Sequence, residues 1–225
     1  MAKSAAILFD LDGTLVDSAP DLARTMNVLL ERRGRRPLTL DDVRHMVGQG
    51  AKVLMERAMA ATGEPASARD IDRMFDEFLA YYNLHIADES RPFPGVREAL
   101  ERLAGAGCAM AVCTNKPEWP SRRLLEELDL DRYFGAIVGG DTLTVRKPDP
   151  EHLFECIRRV GAAPGRAIMV GDSRIDVDAA RAAAVPVVAV TFGYTPEPVA
   201  TFGPDALIDH FDELWAALDR LGAFG

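Results

Sequence analysis

The chain is poor in cysteine. Its 225 residues include only Cys108, Cys113 and Cys156, with no CxxC pair and no zinc-like spacing. That excludes a disulfide-stapled scaffold and a structural zinc module, and it suits a reduced cytoplasmic protein with thiols in its core. No apolar run approaches the roughly 18 residues of a membrane span. The first apolar segment ends in acids rather than in a cleavage signal, so a cytoplasmic location is expected and no membrane partner. Positive charge is also in deficit: the formal net charge is −9, so no nucleic acid is expected as a partner. The one basic cluster, Arg32-Arg33-Gly34-Arg35-Arg36, falls where a helix is expected to end, a place that favours cations. His45, His85, His152 and His210 are scattered without ligand spacing and read as structural or surface residues. There is no Walker A sequence. Gly48-Gln49-Gly50 follows a helix and lacks the third glycine of a dinucleotide loop.

What remains is ordinary globular material, 48% hydrophobic and 27% charged, of a length suited to one domain or to a core with an insertion. Its most informative stretch is the start, Ala6-Ile7-Leu8-Phe9-Asp10-Leu11-Asp12-Gly13-Thr14. An apolar run long enough for one buried strand ends in two aspartates. Side chains alternate along a strand, so positions 10 and 12 can point the same way. Two carboxylates in one small space call for a cation or a shared proton.

Ser18-Ala19-Pro20-Asp21 reads as a helix start, with Ser at the cap and the acid three residues later. Further helices are expected from Thr39 to near Gly48, over 51–61 and over 68–87, with no strand-like run between 17 and 91. Arg91-Pro92-Phe93-Pro94-Gly95 punctuates the end of this block. Beyond it, strands at 108–113, 136–138, 167–170, 187–190 and 206–208 alternate with amphipathic helices, among them 118–128, 150–160 and 176–184. The fold class expected is α/β: a Rossmann-like parallel sheet core over 1–16 and 92–225, with an inserted α-helical cap subdomain over 17–91. The hinges are expected near 16–18 and 91–95.

Four motifs fall at strand ends: Asp10 with Asp12, Thr114-Asn115, Lys147-Pro148, and Gly171-Asp172 to Asp176. In a parallel sheet these loops share one edge. Taken singly, Thr114-Asn115 and Asp172 also fit helix caps and Lys147 a solvated loop; the ordered set of four argues for a site. Several carboxylates then face one assured cation, Lys147. A divalent cation with hard oxygen ligands relieves that excess, leaving Thr114, Asn115 and Lys147 to hold phosphate oxygens.

These residues closely resemble the haloacid dehalogenase superfamily, whose four motifs run through the core in this order. The resemblance implies a phosphatase in which Asp10 is the nucleophile that forms an aspartyl phosphate and Asp12 is the general acid and base. It implies Mg2+ held by Asp10, the backbone carbonyl of Asp12 and Asp172, with Thr114 and Lys147 on the phosphate and Asp176 in support. The 17–91 block matches the superfamily's helical cap, which implies a small phosphorylated metabolite as substrate. Within the superfamily, Thr14 to Asp21, Met46 to Ala51, Arg146 to Pro150 and Val190 to Tyr194 look like bacterial phosphoglycolate phosphatases, which implies 2-phosphoglycolate as substrate. A carboxylate substrate wants a donor from the cap side, and Lys52, Arg57 and the backbone around Gly50 are candidates; Lys52 and Arg57 also fit the solvated face of an amphipathic helix. The alternatives are a phosphatase for another small sugar or amino-sugar phosphate, and a phosphomutase of the β-phosphoglucomutase type. Asp12 argues against dehalogenase and phosphonoacetaldehyde hydrolase chemistry. A monomer or homodimer is expected.

Overall fold

A computed structural model describes residues 5–163 and 165–224. Strand β1 (Ala6–Phe9) lies at the centre of a six-stranded parallel sheet. A ribbon of β2 (Val16–Asp17) and β3 (Arg91–Pro92) stands apart from it. The sheet continues through β4 (Met110–Cys113), β5 (Ala136–Val138), β6 (Ala167–Gly171), β7 (Val187–Val190) and β8 (Ala206–Ile208), in the spatial order β5-β4-β1-β6-β7-β8. The chain winds outward from β1 through β4 and β5, then crosses back to β6 on the other side. The β1/β6 boundary is therefore the switch point where ligands bind in open sheets.

Both faces of the sheet are covered, as near-continuous apolar strands require. Ile7 and Phe9 join one apolar cluster; Ala6 and Leu8, pointing the opposite way, join the other. The first cluster takes in Leu100, Leu124 and Leu214, the second Leu153, Ile157 and Val177.

Between β2 and β3 the regular elements are all helices: α1 (Ala19–Glu31), α2 (Leu40–Arg44), α3 (Ala51–Thr62) and α4 (Ala68–Tyr82). Their apolar faces, with Met26, Leu30, Met55 and Phe78, merge into the first cluster of the core. Thr39 and Asp42 form the capping box at the start of α2. Ser18 departs from expectation: it precedes α1 but its side chain does not cap it. Its Oγ donates to Asp12, because the chain turns here beside the acidic strand end. Asp21 is likewise diverted. Its buried carboxylate accepts from the backbone of Glu89 and Ser90 and from Ser90 Oγ, fastening the start of α1 to the approach to β3. Helix α4 stops at Tyr82, short of the expected residue 87, and the chain runs on in turns.

The arginine cluster acts at two helix ends. Arg33 donates to Leu29 O in α1, while Arg35 reaches Met59 O and Arg36 reaches Ala61 O near the end of α3. Those are unpaired carbonyl positions with partial negative charge. Among the described residues no helix is long and apolar enough to cross a membrane.

Candidate active site

Asp10 emerges from β1 with its backbone N donating to Val170 O at 2.9 Å, so the pairing with β6 holds it at the sheet's edge. The chain then tightens: Leu15 N and Val16 N both donate to Leu11 O at 3.0 Å. Gly13 allows this turn with φ +89°, and a Cβ there would lie 2.7 Å from Asp172 Oδ2. Gly193 is closer still on the other side, where a Cβ would lie 2.1 Å from Asp172 Cβ. Asp172, just after β6, therefore sits in a slot that two side chains would close. Thr14 Oγ1 donates to its Oδ1 at 3.0 Å and Tyr194 N to its Oδ2 at 2.8 Å.

Lys147 reaches the same point from the loop after β5, and its peptide bond to Pro148 is cis. Its Nζ lies 2.9 Å from Asp10 Oδ1 and 2.6 Å from Asp176 Oδ1. Asp176 is fixed by the capping box that opens the helix Arg174–Ala182, accepting from Ser173 N and Oγ. Behind Lys147, buried His152 accepts from Lys147 N at its Nδ1 (3.1 Å), and its Nε2 faces Val138 O at 3.2 Å. Nε2 therefore carries the proton and the ring is neutral.

One carboxylate oxygen each from Asp10, Asp172 and Asp176 lie within 4.8 Å of one another, all three residues buried. Burial pushes Asp10 up to about 7, against the pull of Lys147 and with the push of Asp176. Burial, then the like charges of Asp176 and Asp10, push Asp172 up to about 8. Burial opposes the charge on Lys147, yet the Asp10 and Asp176 carboxylates outweigh it and raise the ammonium's pKa. Three buried carboxylates against one shared lysine leave a surplus of negative charge, and every donor is a hard oxygen. That set fits a divalent cation of the magnesium type.

Asp12 is held differently. Its Oδ1 accepts from Ser18 Oγ at 2.5 Å, and Lys116 Nζ lies 3.2 and 3.4 Å from its two oxygens. Lys116 was not anticipated, and the site has a second buried cation besides Lys147. Its position carried a signal: Lys116 follows Thr114 by two residues as the chain leaves β4, at the same edge. Tyr82, from the end of α4, holds the ammonium with its hydroxyl at 2.8 Å.

Thr114 and Asn115 also reach this edge. Thr114 Oγ1 accepts from Lys116 N, and Asn115 Nδ2 donates to both Gly48 O (3.1 Å) and Lys147 O (3.0 Å), tying the helical block to the core. Asn115 Oδ1 is buried without a hydrogen-bond partner. A cavity brings Asp10, Asp12, Thr114, Asn115, Lys116 and Gly50 together under the apolar faces of α3 and α4. The structure does not bring Lys52 there: it pairs with Asp72 at 2.6 Å and is half exposed. Arg57 donates to Met46 O and borders a neighbouring cleft with Asp12 and Asp172.

A family profile for haloacid dehalogenase-like hydrolases matches residues 7–190. The chain belongs to that family. A phosphoglycolate phosphatase of Agrobacterium fabrum (strain C58) is 47% identical over 96% of this chain and 92% of its own. One from Mesorhizobium japonicum is 48% identical over 94% and 93%. Among solved structures, a predicted phosphoglycolate phosphatase from Haemophilus somnus 129PT superposes with a TM-score of 0.90 at 33% identity, covering 96% of this chain and 98% of the other. Within the haloacid dehalogenase-like hydrolases, such relatives make the protein a phosphatase, a phosphoric monoester hydrolase.

Proposed function

We propose that the chain hydrolyses 2-phosphoglycolate to glycolate and phosphate through an aspartyl phosphate on Asp10, in the cytoplasm. The observation that carries the chemistry is the pairing of buried Asp10, bound by Lys147, with Asp12 in one cavity. The substrate follows the names of the relatives. Three buried cysteines, none of them in a disulfide, fit a reducing compartment.

In the first step an Asp10 oxygen attacks phosphorus, the ester P–O bond breaks, and its electron pair leaves on the glycolate oxygen. Asp12 gives that oxygen its proton. In the second step Asp12 takes a proton from water, the water oxygen attacks phosphorus, and the bond to Asp10 breaks to release phosphate. Lys147 spends two of its three N–H donors on Asp10 and Asp176, which leaves one for a phosphoryl oxygen beside Thr114 and Asn115. Asp176 holds the lysine in place. Asp10, Asp172 and the backbone carbonyl of Asp12 are the residues that would hold Mg2+, which supplies positive charge where phosphate oxygens would otherwise meet carboxylates. Residues 17–91 form the cap, whose Leu54, Phe78 and Tyr82 cover the cavity and exclude water. A covered site of this kind takes a small ester rather than a phosphoprotein.

The test is phosphate release with Mg2+ from 2-phosphoglycolate, glucose 6-phosphate, β-glucose 1-phosphate, N-acetylmuramate 6-phosphate and p-nitrophenyl phosphate, with Asp10→Asn as the blank. A kcat/KM for 2-phosphoglycolate about a hundredfold above the rest is expected. A flat profile, or a preference for a sugar phosphate, overturns the substrate assignment. Turnover by Asp10→Asn overturns the chemistry.

A further inference from the structure

The cavity shared by Asp10 and Asp12 is walled by Leu22, Leu54, Phe78 and Pro120, none of which can bind an anion. Among the described residues lining it, Lys116 is the only cation. Its side chain is buried. An ammonium has three N–H donors. Nζ donates to Tyr82 Oη at 2.8 Å and to the Asp12 oxygens at 3.2 and 3.4 Å, with the Tyr82 ring centre 4.5 Å from Nζ. The 3.4 Å contact is the longest of the three, and Asp12 already holds the ammonium through its other oxygen, so this donor is the one a ligand can take. Holding Asp12 does not by itself call for a lysine, since Ser18 already donates to the same oxygen, and burying an ammonium is costly.

We infer that Lys116 is the specificity-determining anchor of the substrate, its ammonium binding the carboxylate at the far end of the leaving alcohol. The inference rests on the 2-phosphoglycolate reading. Asp12 must reach the ester oxygen to protonate it, and Lys116 Nζ lies 3.2 and 3.4 Å from the two Asp12 oxygens. In 2-phosphoglycolate a single methylene separates that ester oxygen from the carboxylate. The carboxylate therefore falls beside the ammonium. Tyr82, which the cap contributes, is the positioning residue that aims it. Lys52, paired with Asp72 and half exposed, is not so placed, and Arg57 is engaged with Met46 O.

The experiment compares 2-phosphoglycolate with 2-hydroxyethyl phosphate, of similar size but with an uncharged alcohol in place of the carboxylate. Wild type, Lys116→Met and Lys116→Arg are assayed on both, with circular dichroism to verify folding. In wild type the ratio of the two kcat/KM values favours the carboxylate. In Lys116→Met that ratio falls ten- to a hundredfold, mostly through KM for 2-phosphoglycolate, and Lys116→Arg restores part of it. If both substrates lose equally in Lys116→Met, the lysine acts only through Asp12 and the anchor is refuted while the substrate assignment stands. If wild type itself does not distinguish the two, the 2-phosphoglycolate reading fails and the anchor with it. Should Lys116→Met not fold, Lys116→Arg decides: its ratio must stay above one, and a ratio of one overturns the anchor.

Discussion

Acid should loosen this protein through one histidine far from its surface. His152 is fully buried, and its Nδ1 accepts from Lys147 N, a bond available only to the neutral ring. Burial first, and the Lys147 ammonium second, push its pKa from the ordinary 6.5 down to about 4. Above pH 6.5 the ring is neutral in both folded and unfolded chains and contributes nothing to the pH dependence. Below 6.5 the unfolded chain takes up a proton that the folded chain refuses until about pH 4, so stability is lost as pH falls through that window. The full loss is about 3 kcal/mol, of which about 2 kcal/mol is spent by pH 5. Urea unfolding at pH 7.5 and pH 5.0 measures it, with His152→Asn as reference, because Asn keeps an acceptor for Lys147 N and removes the titration. Wild type should lose about 2 kcal/mol more than His152→Asn between the two pH values. Equal losses refute the reasoning, as does an NMR titration placing the His152 imidazole near 6.5.

Gly13→Ala forces a Cβ against Asp172 at a positive φ, and should cost about 1–3 kcal/mol of stability and at least tenfold in kcat; wild-type kinetics would refute the slot. Asp21→Asn weakens a buried carboxylate that accepts from Glu89 N, Ser90 N and Ser90 Oγ, and a loss of about 2–4 kcal/mol in urea unfolding is expected; a loss under 1 kcal/mol refutes that fastening. Metal-stripped protein should gain Tm on addition of millimolar Mg2+, a gain that Asp172→Asn abolishes; an unchanged wild-type Tm by scanning fluorimetry refutes the cation site. Lys52→Ala should leave kcat/KM within about twofold, since its partner is Asp72.

The sheet was legible because each strand is apolar on both faces and each helix carries one apolar stripe. Asp10, Thr114, Lys147 and Asp172 could be placed at one edge from topology alone, since parallel strands align their exits. What escaped were partners chosen by tertiary contact. Lys116 has the composition of any loop lysine until α4 brings Tyr82 over it. Ser18 and Asp21 carry a capping signature, but each has a stronger non-local partner: Asp12 for one, the Glu89–Ser90 backbone for the other. Local pattern ranks only local alternatives. The pairing of Lys52 with Asp72 was hidden for the converse reason, because helical spacing cannot tell which way a lysine leans once an aspartate on the neighbouring helix is within reach.

The fastening of Asp21 to Ser90, next to the β2–β3 ribbon, bears on how the chain assembles. β1 and β4 are neighbours in the sheet, yet residues 17–91 lie between them in sequence. Closing a loop of that length costs about 4 kcal/mol of chain entropy if it is left slack. Here the loop draws its own mouth shut, with α1 against α4 and the ribbon at its neck. The sheet then meets the insertion as if it were a short turn. An insertion closed in this way leaves the register of β1 against β4 to the sheet itself, and what it lends the acidic edge is local: Ser18 on Asp12 at one end of the block and Tyr82 on Lys116 at the other.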